Sequence, residues 1–487
     1  MKIIPADLQL FLSGRSLLAS EIPFPPEKLD QQISIGNIKT LHGIVKKSKR
    51  WRCNRCANST QRLFAHYPCA NCNNEKGCFY CRKCIMMGRV SSCTPLYTWC
   101  GPPVNNLPKS PIKLPRQKMT RTSTPSLNLP IKFHYSYLSW DGELSSGQKH
   151  ASQAAIQAVK TKTDMLIWAV CGAGKTEVLF EAIDKALLAG YRVCVATPRT
   201  DVVLELAPRF KKVFPQIKVA ALYGGTEDRN EYAALTISTT HQLMRFEKAF
   251  DVMIVDEVDA FPYSYDKSLQ WGVNKSTKQQ ATRLFLTATP NEKWQMECRL
   301  GKRNHVKIPA RYHRKPLPVP TFKWCGDWKN QLEKGRIPKI ATAWIKERLN
   351  SDKQALLFLP HIELMEKALP LFRKLHPGIE SVHAEDPLRK EKVEKMRQKK
   401  IPLLLTTTIL ERGVTFPNID VAVIGAEDDI FTEAALVQIA GRVGRSSEFP
   451  TGNITFFHHG RTKAMIRALI HIDNMNKEAL RKGLIDK

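Results

Sequence analysis

The sequence predicts an α/β protein: two tandem domains, each a parallel sheet flanked by helices, behind a small cysteine-rich domain. Three observations predict it. Short apolar runs alternate with helical patterns from residue 133 onward. The alternation breaks at a cluster of prolines and basic residues over 302–320 and then resumes. Nine of the 13 cysteines fall between Cys53 and Cys100. Short buried strands alternating with helices imply a parallel sheet covered on both faces.

In chain order, residues 1–50 carry short apolar runs and stay unassigned, and 51–100 form the cysteine-rich domain. Residues 101–130 hold seven prolines and five basic residues with no acidic one. Proline removes backbone donors and resists regular structure, so 101–132 reads as a linker or strap. The first α/β domain spans 133–310. Its strand-like runs are 165–170, 192–196, 219–222, 235–238, 252–255 and 284–287, with a helix over 177–188. The second spans 311–487, with strands at 355–359, 403–407 and 421–424 and helices at 362–374 and 433–442.

Charge narrows the partner. Lys+Arg is 75 and Asp+Glu is 45, a net charge of +30. That excess points to a polyanion, nucleic acid first and an anionic membrane surface second, and away from cationic substrates. No apolar run approaches the ~18 residues of a membrane-spanning helix. The first residues lack the apolar core of a signal peptide. A cytoplasmic location is therefore expected.

Three elements carry phosphate chemistry. Ala169-Val170-Cys171-Gly172-Ala173-Gly174-Lys175-Thr176 follows a strand and opens a helix. Backbone N–H groups of Gly172, Ala173 and Gly174 can wrap phosphate oxygens. Lys175 supplies a point charge, and the Thr176 hydroxyl can ligate Mg²⁺. The second element is Met253-Ile254-Val255-Asp256-Glu257, an apolar strand ending in two carboxylates. Asp256 suits Mg²⁺, and Glu257 suits the attacking water; one carboxylate cannot serve both roles at once. The third is Gln438-Ile439-Ala440-Gly441-Arg442-Val443-Gly444-Arg445. Arg442 and Arg445 are expected on one face of a helix, where two guanidiniums can neutralise transition-state charge.

These elements, in this order on two α/β domains, resemble superfamily 2 helicases and translocases of the DEAD/DEAH kind. The resemblance implies RecA-like domains, ATP as substrate and Mg²⁺ as cofactor. More of the pattern is present. Thr197-Pro198-Arg199, Ser238-Thr239-Thr240-His241-Gln242-Leu243, Thr287-Ala288-Thr289-Pro290 and the stretch from Thr406 to Thr415 resemble the family's nucleic-acid and coupling motifs. It implies that Gln148 reads adenine and that Arg199, Thr240 and Thr407 contact DNA phosphates. Motif II reads Asp-Glu-Val-Asp and so fits neither subclass strictly.

The cysteine block before the phosphate loop, with Tyr80-Cys81-Arg82-Lys83-Cys84-Ile85-Met86-Met87-Gly88-Arg89, resembles the ComFA family of competence ATPases. That resemblance implies a motor on single-stranded DNA at the inner face of the cell membrane, peripheral to it. It also implies a DNA-channel protein and a phosphoribosyltransferase-like competence protein as partners. Two other readings are a replication-restart (primosomal) 3'-5' DNA helicase and a non-enzymatic zinc-bearing nucleic-acid scaffold. The primosomal family places its cysteines inside the second motor domain, whereas here they precede the first. Intact Lys175, Glu257 and Arg445 weigh against a decayed ATP site.

Four Cys-x-x-Cys pairs are readable: Cys53/Cys56, Cys69/Cys72, Cys78/Cys81 and Cys81/Cys84. A cysteine cluster in a reducing compartment favours metal over disulfides, and tetrahedral Zn²⁺ is the natural occupant. The family resemblance points to Cys53, Cys56, Cys81 and Cys84 as its ligands. Cys69, Cys72, Cys78 and Cys93 remain for a second site or for a cysteine-lined core, with His66 and Cys100 in reserve.

Overall fold

A computed structural model describes residues 4–48, 50–69, 77–104, 112–114, 134–351, 353–411 and 416–486. Most of the proline-rich stretch, Cys72, and residues 412–415 of the Thr406–Thr415 motif lie outside these described residues.

The N-terminal residues form a small α/β layer. Strands Ser16–Leu18, Pro95–Trp99 and Ile38–His42 make an antiparallel sheet, in that order. Helices Ala6–Leu12 and Pro26–Ile35 accompany it, and Leu8, Phe11, Leu12, Leu17, Leu29, Ile38 and Trp99 form a common core. Pro26 starts its helix at a position that needs no amide donor, and Gly36 ends it at φ 86°. The central strand of this sheet, Pro95–Trp99, comes from the end of the cysteine-rich block. The cysteine module is thus an insertion between two paired strands, with His42 opposite Pro95.

The first large sheet has seven strands, in the order Val219–Leu222, Leu235–Thr239, Val193–Thr197, Phe250–Val255, Thr277–Thr287, Met165–Ala169, His305–Ile308. The first five pair in parallel. The second sheet has six, in the order Thr321–Trp324, Ile454–His458, Ile419–Ile424, Gln354–Phe358, Leu403–Thr406, Glu380–Val382, all parallel. Its central strands are apolar throughout because both faces are covered. Ala355 and Leu357 enter one core, while Leu356 and Phe358 enter the other. These are two RecA-like domains.

The strands His305–Ile308, Thr321–Trp324, Glu380–Val382 and Ile454–His458 were not expected, and three expected elements have different bounds. The helix expected over 177–188 is broken at Leu179 into Lys175–Val178 and Phe180–Leu188. The strand expected over 284–287 runs from Thr277 to Thr287. The helix expected to reach 442 ends at Ala440, capped by Gly441. Arg442 and Arg445 therefore follow the helix in a turn and do not share a helical face.

By contacts the chain divides into two compact units. One comprises Met1–Glu143, Ser152–Leu166 and Val178–Leu286; the other comprises Leu144–Ala151, Ile167–Glu177 and Thr287–Lys487. The phosphate loop and the arginine motif fall in the same unit.

Candidate nucleotide and nucleic-acid site

The phosphate loop leaves the strand Met165–Ala169 and enters the helix Lys175–Val178. Gly172 and Gly174 take φ 80° and 69°, a region other L-residues avoid. Gly174 has a second reason: a Cβ there would lie 2.3 Å from Gln148 Nε2. Gln148 is buried and donates to the carbonyl oxygens of Ala173 at 3.0 Å and Gly174 at 3.4 Å. Its own Oε1 accepts from Ser145 N at 2.8 Å. The residue expected to read adenine thus also braces the loop.

In the same unit, the loop meets the arginine motif. The Cys171 thiol donates to Gln438 Oε1 at 2.9 Å. A Cβ on Gly441 would sit 2.5 Å from Cys171 Cβ, so only glycine permits this approach. Arg442 is buried, and its Nε donates to the Glu411 carbonyl at 3.0 Å. Arg445 Nε donates to the Gly441 carbonyl at 2.9 Å.

Sequence reasoning missed Arg311, which holds this junction. It is 1% exposed. Its Nε donates to the Cys171 carbonyl at 3.1 Å, and Nη1 donates to the carbonyls of Val443, at 2.7 Å, and Gly444. His313 Nε2 lies 3.0 Å from the Gly444 carbonyl. Burial, with Arg445 nearby, pushes the Arg311 guanidinium down to about 10. It stays charged at neutral pH, and the carbonyls answer that charge. A lone arginine in a proline-rich stretch offers no local signal of this role.

In the other unit, strand Phe250–Val255 delivers Asp256 and Glu257 at its C-terminal end. Asp256 N donates to the Ala196 carbonyl at 2.8 Å. Glu257 takes φ 52°, a left-handed conformation costly for a residue with a Cβ. Its amide donates to Asp256 Oδ1 at 2.9 Å, which ties the Asp256 carboxylate to the Glu257 backbone. Thr197 and Thr240 stand at the ends of adjacent parallel strands, with Thr240 N donating to the Thr197 carbonyl at 2.9 Å. Both hydroxyls are buried without a hydrogen-bond partner among the described residues. Arg199 grips Asp201 with two donors, at 3.1 and 2.6 Å. In the unit of the phosphate loop, Thr407 is buried just past the strand Leu403–Thr406.

The sulfurs of Cys53, Cys56, Cys81 and Cys84 all lie within 4.8 Å of one another, and all four residues are buried. Cys53–Cys84 is 3.9 Å and Cys56–Cys81 is 3.7 Å. Four sulfurs about 2.3 Å from a tetrahedral zinc would stand about 3.8 Å apart, so the donor set fits that ion. Two hairpins build it. Strand Arg50–Cys53 pairs with Ile44–Lys47, and Cys78–Cys81 pairs with Phe64–Tyr67. Each Cys-x-x-Cys turn starts where the second strand of a hairpin ends. Aromatic rings of the hairpins meet, Trp51 tilted against Phe79 at 4.8 Å and Tyr67 edge to face with Tyr80 at 5.5 Å. Cys69, Cys78 and Cys93 form a second group of sulfurs, His66 belongs to neither, and Cys100 is exposed with its thiol on the Gly36 carbonyl at 3.3 Å.

This module docks on the first helicase domain. Arg55, inside the first Cys-x-x-Cys turn, is fully buried and pairs with Glu21. The other oxygen of Glu21 pairs with Arg245 Nε at 2.7 Å. Arg55 and Arg245 both donate to the Met87 carbonyl, at 2.9 and 3.2 Å. Lys83 bridges to Asp266 at 2.8 Å. Arg245 lies five residues after Thr240, so the cysteine module is fixed beside the segment expected to touch DNA.

The comparisons with known proteins agree with this architecture. Residues 2–98 match the model described as Competence protein ComFA N-terminal domain. Residues 141–292 match Type III restriction enzyme, res subunit, and 339–447 match Helicase conserved C-terminal domain. Competence protein ComFA of Bacillus subtilis (strain 168) is 46% identical over 480 residues, covering 99% of this chain and 97% of its own. Competence protein ComFA of Streptococcus pneumoniae is 36% identical over 443 residues, covering 90% and 93%. The solved structure of S. cerevisiae Dbp5 bound to RNA and ADP BeF3 superposes with a TM-score of 0.50 at 13% identity. It covers 71% of this chain and 94% of that one, a likeness of fold.

Proposed function

Because the chain belongs to the ComFA family of competence proteins, we propose that it is the motor that draws single-stranded DNA inward during natural transformation. Its helicase domains make it a superfamily 2 ATPase, a helicase or translocase acting in competence. The observation that carries the motor reading is the Cys171–Gln438–Arg311 junction. It gives the loop for the triphosphate a direct mechanical link to the arginine motif.

In this reading Gly172, Ala173 and Gly174 turn backbone donors to the phosphates, Lys175 binds them, and Gln148 reads adenine. Thr176 and Asp256 offer oxygen donors that suit Mg²⁺, which would neutralise phosphate charge. Glu257 orients the attacking water. Gln438, Arg442 and Arg445 stabilise charge in the transition state. Arg199, Thr240 and Thr407 contact the DNA backbone, so binding is largely independent of sequence and weakens with salt. If the DNA contacts differ between nucleotide states, each turnover moves the strand. Cys53, Cys56, Cys81 and Cys84 hold a structural Zn²⁺; four thiolates leave no position for substrate. The proposed partners are a DNA-channel protein and a phosphoribosyltransferase-like competence protein. Among the described residues, no helix is long and apolar enough to cross a membrane.

The test is ATP turnover with and without single-stranded DNA, for the wild type and Lys175→Ala. Stimulation by DNA in the wild type, and loss of turnover in a folded Lys175→Ala protein, are expected. Stimulation by RNA alone would make it an RNA helicase.

A further inference from the structure

We propose that Cys69, Cys78 and Cys93 hold a second metal ion of the zinc class, separate from the four-cysteine centre. Their three sulfurs lie within 4.8 Å of one another. Cys69 Sγ and Cys93 Sγ are 3.6 Å apart, close to the roughly 3.8 Å between thiolates on one tetrahedral zinc.

Strand geometry keeps the two centres distinct. Cys78 and Cys81 are the first and last residues of one strand. Residues three apart on a strand project to opposite sides, so a single ion cannot take both. Cys81 joins Cys53, Cys56 and Cys84, and Cys78 joins Cys69 and Cys93. Each centre then sits at one end of the same hairpin, where Phe64 faces Cys81 and Tyr67 faces Cys78.

Hydrogen bonds outside the trio hold the segments that carry it. Ser92 N donates to the Phe79 carbonyl at 2.8 Å, and Cys81 N donates to the Val90 carbonyl at 3.0 Å. Phe79 N donates to Ser92 Oγ at 3.2 Å. These bonds hold the segment that carries Cys93 against the strand that carries Cys78. The Tyr67 hydroxyl lies 3.5 Å from Cys69 Sγ and 3.1 Å from Ser91 Oγ. Such outer hydrogen bonds orient metal ligands.

The apolar core of the module is thin. Among its described residues the buried hydrophobic side chains are Ile44, Cys53, Cys56, Phe64, Cys78, Cys81, Cys84 and Val90. Only Ile44, Phe64 and Val90 are not thiols. Metal binding supplies folding free energy directly. A second ion would therefore strengthen the far end of the hairpin, while the backbone bonds above and the ion pairs of Arg55 and Lys83 hold the module in place without it.

The experiment counts metal on the full chain, prepared under a non-chelating reductant. The expected result is two zinc ions per wild-type chain, and one in Cys69→Ser and in Cys93→Ser. Both variants should keep the circular dichroism of the wild type. In cobalt-loaded protein, the thiolate-to-cobalt absorbance should rise through two added equivalents in the wild type and stop at one in the variants. If a variant fails to fold, the wild-type stoichiometry and cobalt titration decide alone. One zinc per wild-type chain, with Cys69, Cys78 and Cys93 open to a thiol reagent in the folded state, overturns the proposal. So does a Cys69–Cys93 disulfide in that reduced preparation. The count does not depend on motor activity, so its failure would leave that reading untouched.

Discussion

Glu21 and Arg245, 224 residues apart, form an ion pair at 2.7 Å. The same carboxylate also takes Arg55, from between Cys53 and Cys56. Both arginines are almost fully buried. Glu21→Gln keeps the shape and removes the countercharge of two buried guanidiniums. Breaking a buried pair by removing one partner costs about 3–5 kcal/mol. The denaturation midpoint should fall accordingly, and an unchanged midpoint would show that the triad contributes nothing.

Arg311→Lys should separate charge from shape. The ammonium cannot span the Cys171, Val443 and Gly444 carbonyls as the planar fork does. A hydrogen bond to a charged group contributes roughly 1.5–3 kcal/mol. If that loss is felt in the transition state, turnover falls about tenfold or more. Wild-type kcat/KM for ATP in this variant would sink the idea that Arg311 links the loop to the arginine motif.

Arg442 and Arg445 should part company when each is changed to alanine. Arg442 is buried and holds the Glu411 carbonyl. Its loss should lower both melting temperature and ATP turnover. Arg445 is less buried, so its loss should lower turnover with little change in melting temperature. Equal thermal shifts in the two variants would contradict the distinction.

Lys275 predicts a pH dependence. Burial, partly countered by Glu247, pushes its ammonium down to about 8. An unfolded lysine titrates near ~10.4. Between these values the unfolded chain holds the extra proton, so stability should rise as pH climbs through that window. Lys275→Met should flatten this rise in urea titrations from pH 7.5 to pH 10. A slope identical to the wild type would assign the dependence to another group.

What the sequence revealed depended on distance along the chain. The phosphate loop, the Asp256-Glu257 strand end and the Cys-x-x-Cys turns are local, so their residue types and spacing carry the chemistry by themselves. Three strands of the second sheet, Gln354–Phe358, Leu403–Thr406 and Ile419–Ile424, were equally plain, because strands covered on both faces read as apolar runs; Thr321–Trp324, Glu380–Val382 and Ile454–His458 were missed. Long-range relationships were hidden. Arg311 meets partners more than 130 residues away. Glu21 lies in a stretch with no motif. Residues 278–280 of strand Thr277–Thr287 are polar and exposed, and they fall at a register shift between the pairs Phe250–Thr277 and Val252–Thr282. The end of the helix at Ala440 did have a signal: Gly441 follows it, and Gly444 takes φ 69° in the turn beyond.

The cysteine module enters and leaves at neighbouring points. His42 faces Pro95 in the sheet register, and Gly43 N donates to the Thr94 carbonyl at 2.8 Å. Its two ends therefore already meet, like the stem of a cartridge. The module can be excised and replaced by a tight turn, or exchanged for that of another chain, without cutting the scaffold that carries it. The insert can therefore change in length while the two strands that flank it keep their pairing.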